Sequence, residues 1–161
     1  MPLVRIVAHH AGPQERVDVE IDGVLVPNLV EVWPGHPVAE TAASSSAGLA
    51  VSTLEAEGKT GYGRLLRDAA GNPSCIREER DCSPEEFAVT ECNAGLYCVT
   101  ASHLHAELAT LDTDNAQGEI YLTDLVELRA RQGVVGVVAL DPIEAAGVNT
   151  PEQLAALERA R

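Results

Sequence analysis

The sequence predicts an α/β fold in which a mixed β-sheet is flanked by helices. Strand-like and helix-like patterns alternate from about residue 48 onward. The segment 133–140 is continuously apolar, which is typical of a strand covered on both faces of a sheet. Hydrophobic residues make up 45% of the 161 residues, while aromatic residues make up only 3%. We therefore expect one real core, built mainly from Ala, Val and Leu.

Residues 1–47 are poorly patterned and form an unrecognised N-terminal segment. Residues 3–8 could form a strand, and residues 17–21 and 24–26 flank Asp22-Gly23, a hairpin signal. The segment 32–48 holds two prolines, two glycines and three consecutive serines, which predicts a loop. The recognisable domain is therefore expected to span residues 48–161.

The elements of this second segment can be placed one by one. Ser83-Pro84-Glu85-Glu86 predicts a helix start, because Ser83 can cap, Pro84 suits the first turn and Glu86 can close a capping box. Thr150 predicts the start of a last helix in the same way. Strands are predicted over 49–54, 64–67, 74–77, 95–99 and 133–140, and further helices over 102–111 and 123–131.

Composition narrows the classes of function. The formal net charge of −14 repels phosphate backbones and anionic lipids, so we expect no nucleic-acid or membrane partner. The chain has no secretory signal or membrane-spanning pattern, and its four cysteines form no CxxC pair, so we expect a reduced cytoplasmic protein. His103 and His105 lie two apart on a predicted helix and face different directions, which argues against a zinc site.

Four segments, in this order and spacing, carry a resemblance to a known family: Gly61–Arg64, Cys92–Tyr97, Asn115–Asp124 and Gly147–Asn149. Together they resemble the uridylyltransferase domain of the bacterial bifunctional N-acetylglucosamine-1-phosphate uridylyltransferase/glucosamine-1-phosphate acetyltransferase. The resemblance covers residues 48–161 and matches only the C-terminal, sugar-binding half of that domain. It implies a partial Rossmann-like nucleotide-diphospho-sugar transferase fold.

The resemblance also implies a set of sugar contacts. In the family, the backbone at Gly63 lies near the sugar, and Glu78 accepts hydrogen bonds from sugar hydroxyls. Asn93 is the matching sugar-contacting amide, which can both donate and accept. The alternatives are a tight turn at Gly63 and a solvated carboxylate at Glu78, within the charged run 77–81.

Two further residues, Tyr121 and Thr123, match the pair that the family places around the N-acetylated sugar. We expect them at a junction between a strand and a helix, with Glu119 bracing the loop. Thr123 could instead be simply the N-cap of the helix. Asn149 matches a residue whose side-chain oxygen helps to hold Mg²⁺ beside the nucleotide phosphates.

The implied reaction converts UTP and N-acetylglucosamine 1-phosphate into UDP-N-acetylglucosamine and pyrophosphate, a step that supplies cell-wall synthesis. Residues 1–60 contain no Gly-rich phosphate loop, and no metal-binding Asp is found in register. We therefore expect an incomplete domain that is weak or inactive by itself, with no general base in this half. An open sheet edge predicts possible self-association.

Three interpretations stay open. The chain is an inactive or weak member of this nucleotidyltransferase family, a non-catalytic remnant that binds a sugar nucleotide, or a transferase for another sugar 1-phosphate or base. Whether it is an enzyme is therefore uncertain from the sequence.

Overall fold

A computed structural model describes residues 4–10, 15–21, 24–30, 37–58, 60–100 and 104–141, together with residues 145, 155 and 159. Two β-sheets lie within these residues, one of three strands and one of five. Of the predicted last helix after Thr150, the structure describes only residues 155 and 159, both of which are helical.

The three-stranded sheet is an antiparallel meander at the N-terminus. Its strands are β1 (Val4–His10), β2 (Glu15–Ile21) and β3 (Val24–Val30). They pair in chain order, β1 with β2 and β2 with β3. The predicted hairpin is confirmed in its two strands, although β3 continues four residues beyond the predicted end; its turn lies outside the described residues.

The five-stranded sheet is formed by strands of the segment 48–161. Its strands run in the order β6-β5-β7-β4-β8. The β4–β8 pair is parallel, and the β4–β7, β5–β6 and β5–β7 pairs are antiparallel. The predicted mixed sheet is therefore confirmed. The strands are β4 (Leu49–Glu55), β5 (Arg64–Arg67), β6 (Pro73–Arg77), β7 (Glu91–Val99) and β8 (Gly136–Ala139).

Four α-helices accompany the strands in the described part of the chain: α1 (Pro37–Ser44), α2 (Pro84–Phe87), α3 (Leu104–Leu108) and α4 (Asp124–Ala130). The predicted capping box at the start of α2 is confirmed. Ser83 Oγ accepts from Glu86 N at 3.2 Å, and Glu86 Oε2 accepts from Ser83 N at 2.7 Å. The short helix thus begins at Pro84, as expected.

Helix α1 corrects the prediction that residues 32–48 form a loop. Val38 and Ala42, four residues apart and so on one helical face, are both buried. They pack against Ala50 of β4, which is also fully buried. Tertiary packing therefore stabilises a helix that the run of Ala and Ser does not specify by propensity.

Strand β4 is buried because the sheet is covered on both faces. Leu49 and Val51 pack in one cluster with Val126 of α4, whereas Ala50 packs with α1 in another. Residues 137 and 138 of β8 divide in the same way, Val137 toward the first cluster and Val138 toward the second. The apolar pattern of the last strand therefore has the predicted cause, although β8 is only four residues long.

The outer strands β6 and β8 each have a single partner strand among the described residues. Self-association through these edges stays a prediction. No helix in the described ranges has both the length and the apolar character needed to span a bilayer.

Candidate functional site

The site is built around Glu78, which follows directly after β6. Its half-buried carboxylate accepts a hydrogen bond from Thr123 Oγ1 at 2.9 Å, across 45 residues of chain. Thr123 occupies the N-cap position of α4, yet its side chain makes no capping hydrogen bond there. The hydroxyl of this buried threonine therefore bonds to the carboxylate, although Thr123 does occupy the N-cap position that the alternative interpretation gave it.

The surroundings of Glu78 disfavour its charge. Burial raises the pKa of the carboxyl group, the hydrogen bond from Thr123 lowers it, and the charges of Asp124 and Asp81 raise it further. The net effect places the pKa of Glu78 above its ordinary value. This carboxylate thus has a hydroxyl donor and acidic neighbours, an arrangement more typical of a binding group than of a structural ion pair.

Gly63 brings a second backbone segment against the same carboxylate. A Cβ at this position would lie 2.7 Å from Ile76 Cγ2 and 3.5 Å from Glu78 Oε1. The first distance is shorter than side chains tolerate, so glycine is required by close approach. The Gly63 carbonyl accepts from Asn93 N at 2.8 Å, which joins this segment to β7.

Asn93 sits at a bulge in β7. Asn93 pairs with Thr53 and Tyr97 pairs with Val51, so four steps along β7 oppose two steps along β4. Asn93 Oδ1 accepts from Gly95 N at 3.0 Å. Gly95 has a φ of 85°, a conformation that favours glycine. The bulge thus fixes the carboxamide of Asn93 through its own backbone and leaves the Nδ2 protons as its remaining donors.

Ser52 fills the gap in the ladder that the bulge creates. Its hydroxyl accepts from Leu96 N at 3.0 Å and donates to Leu96 O at 3.3 Å. Ser52 is fully buried in β4. This side chain therefore replaces the backbone partner that Leu96 would otherwise lack. The available sequence signal was a serine directly after the apolar residues Leu49–Val51 of the strand.

Tyr121 reaches the site through Asp81 rather than through Glu78. Its hydroxyl donates to Asp81 Oδ2 at 3.2 Å and accepts from Gln117 Nε2 at 2.8 Å. Burial and the nearby charges of Asp81 and Glu78 raise its pKa, despite the opposing bond from Gln117. Asp81 Oδ1 also accepts from Ala116 N at 2.7 Å. Asp81 therefore holds the loop 115–121 in place. Its position in the charged run 77–81 gave no indication of this role.

The loop itself differs from expectation in two ways. Asn115, and not Glu119, braces it: Asn115 Nδ2 donates to Glu119 O at 2.5 Å, and Asn115 Oδ1 accepts from Glu119 N at 3.2 Å. The described residues between α3 and α4 form no strand. Tyr121 and Thr123 thus lie at a junction between a loop and a helix.

A separate cluster, which we call the Arg64 anchor, holds the Gly61–Arg64 segment in place. The Arg64 side chain is fully buried and pairs with Glu79 Oε2 at 3.3 Å. It also donates to the carbonyls of Gly58 and Tyr62, and its guanidinium carbon lies 5.0 Å from the centre of the Phe87 ring. Glu79 Oε2 accepts from Thr60 N and Gly61 N, each at 2.8 Å. Glu78 and Glu79 are adjacent in sequence, but Glu78 bonds to Thr123 and Glu79 belongs to the Arg64 anchor.

Four of the predicted residues therefore form a continuous chain of contacts: Gly63, Glu78, Asn93 and Thr123. The charge of Glu78 helps to raise the pKa of Tyr121, but the Tyr121 hydroxyl donates its hydrogen bond to Asp81. Asn149, the predicted Mg²⁺ ligand, lies outside the described residues. Elsewhere in the part of the chain that is described, no group of three or more His, Cys, Asp or Glu is arranged to hold a metal ion.

A cavity of about 420 Å³ lies next to this site but does not contain it. Its lining includes Arg77 and Asp124, which are adjacent in sequence to Glu78 and Thr123, but neither Glu78 nor Thr123 itself. Its remaining lining is mostly acidic or basic: Asp112, Asp114, Glu127 and Arg131, with Thr110, Leu111 and Leu128. None of the predicted sugar contacts lines it, so cavity size alone does not identify the site here.

Comparison with known proteins gives a partial but consistent relationship. No family model matches the chain. A Bifunctional protein GlmU of Anaeromyxobacter sp. (strain Fw109-5) is 46% identical over 114 residues, which is 71% of this chain and 23% of that protein. One of Sorangium cellulosum (strain So ce56) is 47% identical over 116 residues, 71% and 24% respectively.

A third, from Marinomonas sp. (strain MWYL1), is 43% identical over 122 residues, 74% of this chain and 27% of that protein. The chain thus spans about a quarter of the length of the relatives it matches. Identity of this degree over most of the chain reflects common ancestry, and the chain belongs, over the matched part, to the family of the bifunctional GlmU proteins.

Proposed function

We propose that the residues around Glu78 line a pocket, which we call the Glu78 pocket, and that it binds the amino-sugar part of N-acetylglucosamine 1-phosphate or UDP-N-acetylglucosamine. The observation that carries the proposal is the Thr123–Glu78 hydrogen bond of 2.9 Å, with Gly63 packed against the same carboxylate. The relationship to the bifunctional GlmU proteins supports it, because the resemblance to that family implies a sugar-1-phosphate nucleotidyltransferase. The parent reaction would be attack of the sugar phosphate oxygen on the α-phosphorus of UTP, with pyrophosphate leaving.

The polar groups of the pocket suit sugar hydroxyls. The Glu78 carboxylate offers acceptors only, whereas the Asn93 carboxamide retains Nδ2 donors after its oxygen accepts from Gly95 N. A hydroxyl group can donate to the first and accept from the second. Hydrogen bonds to a charged acceptor contribute about 1.5–3 kcal/mol each, enough to orient a sugar ring.

The same pocket does not suit phosphate. Glu78 and its neighbours Asp81 and Asp124 make it acidic, and the nearby Arg77 side chain contacts Glu86 at 3.5 Å. Lys59 is the only lysine in the sequence. We therefore propose that this chain contributes sugar binding, and that turnover by the chain alone is weak or absent because catalysis of phosphoryl transfer depends on cations that offset the phosphate charge.

Mg²⁺ enters the proposal only through Asn149, whose surroundings the structure does not describe. No step is derived through the ion. The free thiols of the described residues suit a reducing compartment, so we also propose a cytoplasmic location.

The test is a calorimetric titration of the 161-residue chain with UDP-N-acetylglucosamine, compared with UDP. We expect heat of binding for the sugar nucleotide and at least a tenfold weaker response for UDP, because only the former fills the Glu78 pocket. Equal responses would instead indicate a nucleotide site. No heat with either ligand at millimolar concentration would overturn the proposal.

A second candidate, a site for another sugar 1-phosphate, is favoured by the simplicity of the pocket, since the proposed contacts are to hydroxyl groups that other sugars share. Titrations with UDP-glucose and UDP-N-acetylgalactosamine address it. Tighter binding of either ligand would replace N-acetylglucosamine in the proposal. Release of pyrophosphate from UTP and the sugar phosphate, measured with and without Mg²⁺, then separates a weak enzyme from a binding protein.

A further inference from the structure

Two carboxylates on one turn of the chain face the same loop. Glu78 is the N-cap of a single turn of 3₁₀-helix, Glu79–Asp81, and Asp81 N donates to Glu78 O at 2.9 Å. Side chains three residues apart eclipse one another in a 3₁₀-helix, so those of Glu78 and Asp81 lie on the same side of the turn. Both accept hydrogen bonds from the segment 116–123. The spacing therefore sets two acceptors against one stretch of chain.

The loop 115–121 depends on Asp81 for its attachment. Asn115 braces the loop internally, and most of the loop is exposed. Asp81 accepts from Ala116 N at 2.7 Å and from the Tyr121 hydroxyl at 3.2 Å. Among the residues that the structure describes, it is the loop's only hydrogen-bonding partner that is not a near neighbour in the chain. We call these two hydrogen bonds of Asp81 the Asp81 latch.

The Asp81 latch ends two residues before Thr123, whose hydroxyl donates to Glu78 at 2.9 Å. Residues 121–123 are therefore held at both ends by the same 3₁₀ turn. A single bond would let this segment pivot about Thr123, whereas two bonds fix its direction. A binding wall that is fixed before the ligand arrives loses less conformational entropy on binding, which raises affinity. The latch thus has the geometry needed to preorganise the Glu78 pocket.

We propose that Asp81 is a positioning residue for sugar binding: the Asp81 latch holds the loop 115–121 and Thr123 in the arrangement that binds the sugar. The inference rests on the proposed function, since it concerns the Glu78 pocket. Asp81 acts through Ala116 and Tyr121 and does not itself contact the sugar. Because the latched loop binds the ligand more tightly than the open loop, the bound ligand stabilises the latch by the same factor.

The variant Asp81→Ala opens the latch. We expect its affinity for UDP-N-acetylglucosamine, measured by calorimetry, to be about tenfold lower, because the pocket wall must then be ordered during binding. Tyr121→Phe removes one of the two latch bonds and should lose less affinity. The double variant should bind no more weakly than Asp81→Ala alone, since both changes act on one latch. An affinity of Asp81→Ala equal to that of the parent, or losses that multiply in the double variant, would overturn the proposal.

Asp68→Ala is the matched control. Asp68 is also an aspartate that accepts from two backbone amides, Ala70 N at 2.9 Å and Asn72 N at 2.8 Å, but it lies in the turn between β5 and β6. We expect this variant to melt at a lower temperature, because its turn loses both bonds, and to bind the sugar nucleotide as the parent chain does. An equal loss of affinity in Asp68→Ala and Asp81→Ala would mean that net charge controls binding, and would overturn the role of the latch.

Hydrogen exchange at the Ala116 amide tests the latch in the parent chain, without any variant. A role confined to stability would leave this exchange insensitive to the ligand. We expect saturation with UDP-N-acetylglucosamine to slow it by about tenfold, the same factor as the affinity lost in Asp81→Ala. Failure of the parent chain to bind overturns the proposed function and this inference with it. Binding by the parent chain with unchanged exchange at Ala116 overturns the inference alone.

Discussion

The adjacent carboxylates Glu78 and Glu79 lie in two contrasting regions of the molecule. Glu79 in the Arg64 anchor faces a buried cation and two backbone amides. Although burial acts to raise its pKa, these hydrogen bonds and the charge of Arg64 lower it below the ordinary value. Glu78 has a single hydroxyl donor and acidic neighbours, and its pKa is raised.

The difference separates a group that holds the fold from a group suited to binding. A carboxylate whose charge is fully compensated has little to offer a ligand, while one with an uncompensated charge gains by meeting new donors. We therefore expect substitutions at the two regions to have opposite signatures, one in stability and the other in affinity. The following predictions run from the largest expected effect to the smallest.

The largest effect should come from Arg64→Met in the anchor. Removing one member of a buried ion pair leaves the other uncompensated, which typically costs about 3–5 kcal/mol in the free energy of unfolding. Urea denaturation measures the loss. The control is Arg67→Met on the same strand, where the pair with Glu91 is partly exposed and should contribute less than about 1 kcal/mol. Equal losses in the two variants would contradict the role of the anchor.

The second prediction concerns Glu78→Gln in the pocket. The amide oxygen can still accept from Thr123, so we expect stability at neutral pH to be unchanged or slightly raised. Affinity for UDP-N-acetylglucosamine should fall roughly ten- to a hundredfold, because charge-assisted hydrogen bonds to the sugar are lost. Calorimetry measures this, with the exposed Glu85→Gln as the control for net charge. A variant that binds like the parent would remove Glu78 from the site.

Part of the fold and of the candidate site could be predicted from the sequence, and part could not. The hairpin over residues 64–77 and the capping box at Ser83 depend on local patterns, which the sequence displays directly. The convergence of Thr123 on Glu78 was accessible only through the family resemblance, because no local pattern joins residues 45 positions apart. The role of each side chain in sugar binding stays a prediction.

The sequence did not indicate the contacts that depend on tertiary structure. The helix at Pro37–Ser44 forms because its buried face meets β4, which propensity cannot indicate. Asp81 looked like one member of a solvated charged run, yet it holds the loop that carries Tyr121. Ser52 carried no predicted role in the sequence, yet its hydroxyl completes the bulge.

The third prediction tests that bulge with Ser52→Ala. Loss of the hydroxyl leaves the buried N–H and C=O of Leu96 without their partner, which should cost about 1–3 kcal/mol in the free energy of unfolding. Affinity for the sugar nucleotide should fall as well, because the bulge sets the position of Asn93. The control Ser74→Ala removes a hydroxyl that donates to Leu66 O at 3.1 Å in the β5–β6 hairpin, away from the bulge, and should leave affinity unchanged. A stable Ser52→Ala chain would show that the bulge holds without Ser52.

The smallest expected effect is a pH dependence of the free energy of unfolding that arises from the raised pKa of Glu78. Because its pKa is raised in the folded state, Glu78 contributes stability that is present below its unfolded pKa and lost as pH rises through its folded pKa. The stability of Glu78→Gln relative to the parent should therefore improve as pH rises from 4 to 7. Urea titrations at several pH values measure this difference, and a pH-independent difference would contradict the raised pKa.

Affinity should follow the opposite course, since the ionised carboxylate is the form that accepts hydrogen bonds from the sugar. Binding of UDP-N-acetylglucosamine should weaken as pH falls through the raised pKa of Glu78, before exposed glutamates become protonated. Binding by Glu78→Gln should stay weak across the same range.

The most direct test of the central claim is a map of ligand contacts by amide chemical shifts in the ¹⁵N-labelled chain. On addition of UDP-N-acetylglucosamine we predict the largest shifts at Gly63, Glu78, Asn93 and Thr123, with smaller shifts around Gly61 and Glu79 in the anchor. Shifts concentrated on the cavity lined by Asp112 and Arg131, or none at all at millimolar ligand, would contradict the account.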